Sequence, residues 1–103
     1  MTKEEFQKFI AESEKLTDAE KENMLKLEVS YEDLPTYDEA SIIVFKDVSE
    51  FINTITEDYD ELPGIMLDFI YDYSDLFMEY VVNCNAWDFY LESGRVVRFQ
   101  YDY

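Results

Sequence analysis

Apolar residues recur at helical spacing in two short stretches at the start of the chain, and each is preceded by the same polar signature. In "TKEEFQKFI", Thr2 and Glu5 form a capping box, and Phe6, Phe9 and Ile10 follow on one face. This predicts a first helix from about Lys3 to Lys15. "TDAE" repeats the box with Thr17 and Glu20 and predicts a second helix over about Asp18 to Leu27, with Met24, Leu25 and Leu27 facing inward. Both helices mix Lys with Glu on the outer side, as solvated faces do.

The pattern then changes period. "SYEDLPTYDEA", residues 30 to 40, is polar with a proline and reads as a loop. "SIIVFK", residues 41 to 46, is a compact β-branched run bounded by polar residues and reads as a short strand buried on both faces. "DVSEFINTI" starts a third helix, capped by Ser49 or Asp47, with Phe51, Ile52 and Ile55 inward. That helix is expected to fray into "TEDYDELPG", the densest acidic run in the chain.

Pro63 suits the first turn of a fourth helix, which the pattern carries from Gly64 to about Asn83. Met66, Phe69, Ile70, Tyr73, Phe77, Tyr80 and Val81 form its apolar arc. Opposite lie Asp68, Asp72, Asp75 and Glu79, at spacings of four, three and four, so they fall on one narrow stripe. Ile65 and Leu76 border that stripe on one side, and Tyr71, Met78 and Val82 on the other. Ser74 or Asp75 also suits the cap of a fresh helix, which would break the stripe into two halves.

The last stretch, "WDFYLESGRVVRFQYDY", alternates. Trp87, Phe89 and Leu91 interleave with Asp88, Tyr90 and Glu92; Ser93-Gly94 supplies a turn; Val97, Phe99 and Tyr101 interleave with Arg98 and Gln100. Together with the strand at 41–46 this predicts one α+β domain over residues 1–103. It has a small three-stranded sheet, including a C-terminal β-hairpin, packed with about four helices.

Charge changes the picture. The 103 residues carry 25 acids against 8 bases, a net charge of −17, with 48% hydrophobic and 17% aromatic residues. Such a chain can bury a core and is not a disordered acidic tail. Phosphate would be repelled, so nucleic acid and anionic membranes are poor partners, whereas a strongly basic protein surface is a good one. The blander alternative is charge that only keeps the protein dispersed. Six of the bases are Lys within the first 46 residues, and the others are Arg95 and Arg98; between Lys46 and Arg95 stand twelve acids and no base. Like charges one helical turn apart cost roughly 0.2–0.5 kcal/mol per pair, so the stripe is either a tolerated cost or a used field.

Chemistry is mostly excluded. Histidine is absent and Cys84 is the single cysteine, so the common zinc sites and His-activated nucleophiles have no residues to build them. Cys84 reads as a small buried residue, and its isolation fits a reducing compartment. No signal peptide and no bilayer-spanning run are expected. "DYDELPG", 58 to 64, matches the first two acids of a calcium loop, but Leu62 and Phe69 occupy later ligand slots and Pro63 stands where the loop needs glycine. No metal, cofactor or catalytic role is expected.

The stripe spans roughly 16 Å at the helical rise, with neighbouring acids about 5 Å apart, of the same order as phosphate spacing along a nucleic-acid strand. Carboxylate and phosphate both take two-point hydrogen bonds from Arg. A groove built for DNA is therefore also suited to this surface, and Tyr side chains suit such contacts as rigid amphipathic groups. The candidate partner-binding set is Glu57, Asp58, Asp60, Glu61, Asp68, Tyr71, Asp72, Asp75, Glu79 and Asp88.

In being small, very acidic, aromatic-rich and without catalytic motifs, the chain resembles the DNA-mimic inhibitors of phages and mobile elements, namely antirestriction and some anti-CRISPR proteins. "DFYLESGRVVRFQYDY", residues 88 to 103, is similar to the close of ArdA-type antirestriction proteins. The resemblance implies a non-enzymatic inhibitor in the bacterial cytoplasm that occupies the DNA groove of a Cas nuclease or a restriction-modification enzyme. Two alternatives stand beside it: an immunity protein or antitoxin against a basic nuclease toxin, and an adaptor that binds through its aromatic surface. The sequence leaves the oligomeric state open, with the hairpin and the Lys-bearing helices as candidate dimer surfaces.

Overall fold

The computed structural model describes residues 1–57, 72, 73, 76 and 86–101, with residues 55–57 described by backbone alone. Within these residues the chain is α+β. Three α-helices, α1 (Lys3–Glu12), α2 (Asp18–Lys26) and α3 (Val48–Glu57), accompany three strands, β1 (Ala40–Phe45), β2 (Asp88–Tyr90) and β3 (Val96–Tyr101). The sheet is antiparallel in the order β1-β3-β2.

Both capping boxes form. The Thr2 hydroxyl accepts from the Glu5 N–H at 3.1 Å, and Glu5 accepts from the Thr2 N–H at 2.8 Å. These bonds hold the Glu5 carboxyl below its ordinary pKa, with the Thr2 backbone N–H as the main cause. Thr17 and Glu20 repeat the arrangement. Helix α1 ends at Glu12, before the expected Lys15, because Ser13 adopts an extended conformation. The shorter helix lets the chain turn so that Leu16 is buried. Helix α2 likewise ends one residue early, at Lys26, with Leu27 extended. Met24 faces inward as expected, but Leu25 does not: it is exposed.

Asp47 is the cap of α3. Its Oδ1 accepts from the Glu50 N–H at 2.8 Å, and Glu50 returns a bond to the Lys46 N–H at 2.9 Å. A one-turn 3₁₀ helix, Tyr31–Asp33, lies within the segment expected to be a plain loop.

The hairpin forms as the alternation predicts. Phe89 stands opposite Val97, and the Leu91 N–H bonds to the Arg95 carbonyl at 3.0 Å. Between them the Gly94 N–H closes a turn onto the Leu91 carbonyl at 3.0 Å, and Gly94 takes a positive φ of 91°. This is a short hairpin loop whose last residue is left-handed, which favours glycine.

Each face of the sheet carries its own core. On one, Ile42, Phe89, Val97 and Phe99 pack with Phe6 and Ile10 of α1 and Met24 of α2. Phe99 is central, with its ring 5.9 Å from Phe6, 5.4 Å from Phe9 and 5.7 Å from Phe89. On the other, Phe45, Phe51 and Val96 form a smaller cluster that seats α3. β1 thus contributes to a core on both faces, although Ile43 and Val44 are only half-buried. The expected fourth helix lies outside the described residues except for Asp72 and Leu76, which are helical, and Tyr73, which is in a turn. Cys84 lies outside them as well.

Candidate partner-binding surface

Of the ten residues expected to form the acidic surface, the structure describes Asp72 and Asp88 in full and Glu57 as the last residue of α3. Asp58, Asp60, Glu61, Asp68, Tyr71, Asp75 and Glu79 lie outside the described residues. Asp72 is exposed. Leu76, four residues further on, is 61% exposed. Tyr73 departs from the apolar arc that the periodicity predicts: it is 51% exposed. A carboxylate, a phenol and an apolar side chain therefore meet solvent within five residues.

Asp88 does not belong to that surface. It is buried, and both of its oxygens are held by Arg98, Nε to Oδ1 at 2.7 Å and Nη2 to Oδ2 at 3.1 Å. The two residues stand opposite each other on β2 and β3, so the register brings them together. The guanidinium also lies over the Phe51 ring, 5.1 Å from its centroid. A buried carboxylate is retained only when paired and hydrogen-bonded, and Arg98 supplies both.

Glu20, a residue of the second capping box, is a second buried acid. Its Oε1 accepts from the Thr17 N–H at 3.0 Å and from Arg95 Nη1 at 2.7 Å, while Oε2 accepts from the Ser93 hydroxyl at 2.8 Å. One carboxylate thereby ties the start of α2 to the hairpin loop. Burial alone would raise its pKa, but the Thr17 N–H, Ser93 and Arg95 outweigh that and hold it below the ordinary range.

Several cations are also engaged with their own chain. The Lys15 ammonium donates to the Ile42 carbonyl at 2.7 Å and Lys21 to the Ala11 carbonyl at 3.0 Å. Lys26 pairs with Glu22 on the exposed face of α2, and Lys8 lies over the Tyr37 ring. Tyr37 donates to Glu12 at 2.6 Å, and that bond raises its pKa, keeping the phenol protonated. Among the described residues, no three His, Cys, Asp or Glu side chains gather to hold a metal, and no helix is long and apolar enough to cross a membrane.

No family model, curated protein or solved structure matches this chain. The described residues show an exposed carboxylate at Asp72 in a chain whose two arginines each bind a buried acid.

One of these relationships was within reach of the sequence. Once the hairpin is drawn with its turn at Ser93-Gly94, Asp88 and Arg98 fall on the same face of adjacent strands. The Glu20–Arg95 pair had no such signal, because it joins residues 75 apart through the tertiary fold.

Proposed function

We propose that this protein is a non-enzymatic, DNA-mimic inhibitor that occupies the nucleic-acid groove of a basic defence enzyme, a Cas nuclease or a restriction-modification enzyme, in the bacterial cytoplasm. The observation that carries the proposal is the unbroken acidity from Lys46 to Arg95, twelve acids and no base, within a chain of net charge −17. Exposed Asp72, with Tyr73 and Leu76 exposed beside it, supports this segment as a contact surface. Opposite charge on the groove steers the encounter and raises the association rate, and the same field makes binding weaken with salt. No turnover is needed: occupation excludes DNA.

The test is capture of partners from a bacterial host lysate on the tagged protein, at low and high salt, with duplex DNA as competitor. A basic nucleic-acid enzyme released by both salt and DNA supports the proposal and identifies the target. A partner that resists both is held by the aromatic surface, and mimicry is then wrong. A basic toxin nuclease encoded beside this chain would make it an immunity protein acting by the same physics.

A further inference from the structure

The register of the sheet decides which backbone groups of β1 are spent and which are open. The Leu91 N–H bonds to the Arg95 carbonyl, and the Phe99 N–H bonds to the Trp87 carbonyl at 2.9 Å. Arg95, Val97 and Phe99 therefore turn their backbone groups toward β2, and the intervening Val96, Arg98 and Gln100 turn theirs toward β1. Their partners there are Phe45, Ile43 and Ser41. Ile42 and Val44 consequently point their N–H and C=O groups away from β3, along the outer edge of β1, which is terminal among the described strands.

One of those groups is occupied: the Lys15 ammonium sits on the Ile42 carbonyl. No described residue bonds to the Val44 N–H, the Val44 carbonyl or the Ile42 N–H. A groove of about 430 Å³ adjoins this edge, lined by Ser41 and Ile42 of β1 and by Phe9, Glu12, Glu14 and Tyr37. Glu12 and Glu14 are exposed, as is Glu39 beside the start of β1, and none of the three forms an ion pair among the described residues.

We propose that the outer edge of β1 is a second binding site, which takes an extended, Lys- or Arg-bearing segment of a partner protein as a fourth strand. The backbone of the incoming segment bonds to Ile42 and Val44, and one of its N–H groups replaces the Lys15 ammonium on the Ile42 carbonyl. Its side chains alternate between the two faces of the sheet. Those on the side of the groove are cationic, to meet Glu12 and Glu14. Those on the side of Ile43 and Phe45 are apolar. Lys15 blocks the edge against unselective pairing until such a segment arrives, a use of lysine common on exposed strands. This site involves none of the acids between residues 57 and 79, so it stands or falls apart from the proposed mimicry.

The test uses the whole protein and a capped peptide of alternating Lys and Val, with amide hydrogen exchange followed residue by residue. At peptide concentrations about ten times the Kd, exchange at Val44 and Ile42 should slow about tenfold. A matching Glu/Val peptide should have no effect, and high salt should weaken the Lys/Val effect. Val44→Pro removes an outward donor while leaving the β1–β3 ladder intact, and should abolish binding. If that variant does not fold, a peptide N-methylated on the side facing β1 is the equivalent control and should not bind. Unchanged exchange at Val44 and Ile42, or equal protection by the Glu/Val peptide, overturns the proposal. So does a concentration-dependent dimer that protects both amides without peptide, since the occupant is then a second copy of this chain.

Discussion

Arg98 and Asp88 face each other across β2 and β3, joined at both oxygens of a carboxylate that is shut away from water. The pair lies on the face of the sheet that carries α3, with the guanidinium against Phe51. Its position makes it a structural link between the hairpin and the third helix. Removing the cation alone leaves a buried charge without its main partner. Arg98→Met is therefore expected to destabilise the protein by about 3–5 kcal/mol in urea unfolding. Asp88→Asn, which keeps the shape, is expected to cost less. The proposed inhibition, measured on the folded fraction, should be unaffected by Asp88→Asn, because this acid is buried and lies off the proposed binding surface. A selective loss of inhibition with unchanged stability would return Asp88 to that surface.

Glu20 predicts a pH dependence. Its folded pKa lies below the unfolded value, so its contribution to stability is complete above the unfolded carboxylate pKa, about 4.3. That contribution is lost as pH falls through the lower folded value. Thermal midpoints of the wild type and Glu20→Gln should therefore differ at pH 7 and converge below the carboxylate range. A gap that persists to pH 2 would mean the glutamate acts through shape, not charge.

Gly94 isolates a backbone effect. Nothing lies within 4 Å of where a Cβ would stand, so Ala at this position meets no clash. The cost is conformational, since L-residues disfavour φ near 91°. Gly94→Ala is expected to lower stability by about 1–2 kcal/mol. Gly94→Asn should lose less, because asparagine tolerates left-handed geometry better. Equal losses from both would mean that the cost arises from something other than the left-handed backbone.

The acidic stripe is tested by neutralising Asp68, Asp72, Asp75 and Glu79 together with Asn or Gln. The variant should remain folded, and relief of each like-charge pair is expected to add roughly 0.2–0.5 kcal/mol if the segment is helical. Inhibition of the captured enzyme should fall, and the remaining binding should depend less on salt. Full inhibition by this variant would remove the stripe as the site.

How far each element was legible follows from the range of the forces that make it. Both capping boxes, the Asp47 cap and the hairpin depend on residues a few positions apart, and the sequence located them to within a few residues. Helix ends were less legible. Ser13 leaves the helix where the chain must turn to bury Leu16, a demand that comes from the core and not from local propensity. Leu25 shows the same limit from the other side: a leucine on a short helix reads as inward, but α2 has room against the core for Met24 and not for its neighbour.

By itself, the sequence determined the α+β class, the alternation of the hairpin and the segregation of charge. These follow from period, from turn chemistry and from counting. Only the tertiary structure decided what individual charges do. Asp88 and Glu20 look like surface acids in the sequence, and each is buried because an arginine reaches it, one across a strand pair and one across the fold. Only the fold, too, turned Ile42 and Val44 outward. Which edge of a strand is spent depends on the register of its partner, and that register is set where β1 meets a strand more than fifty residues away.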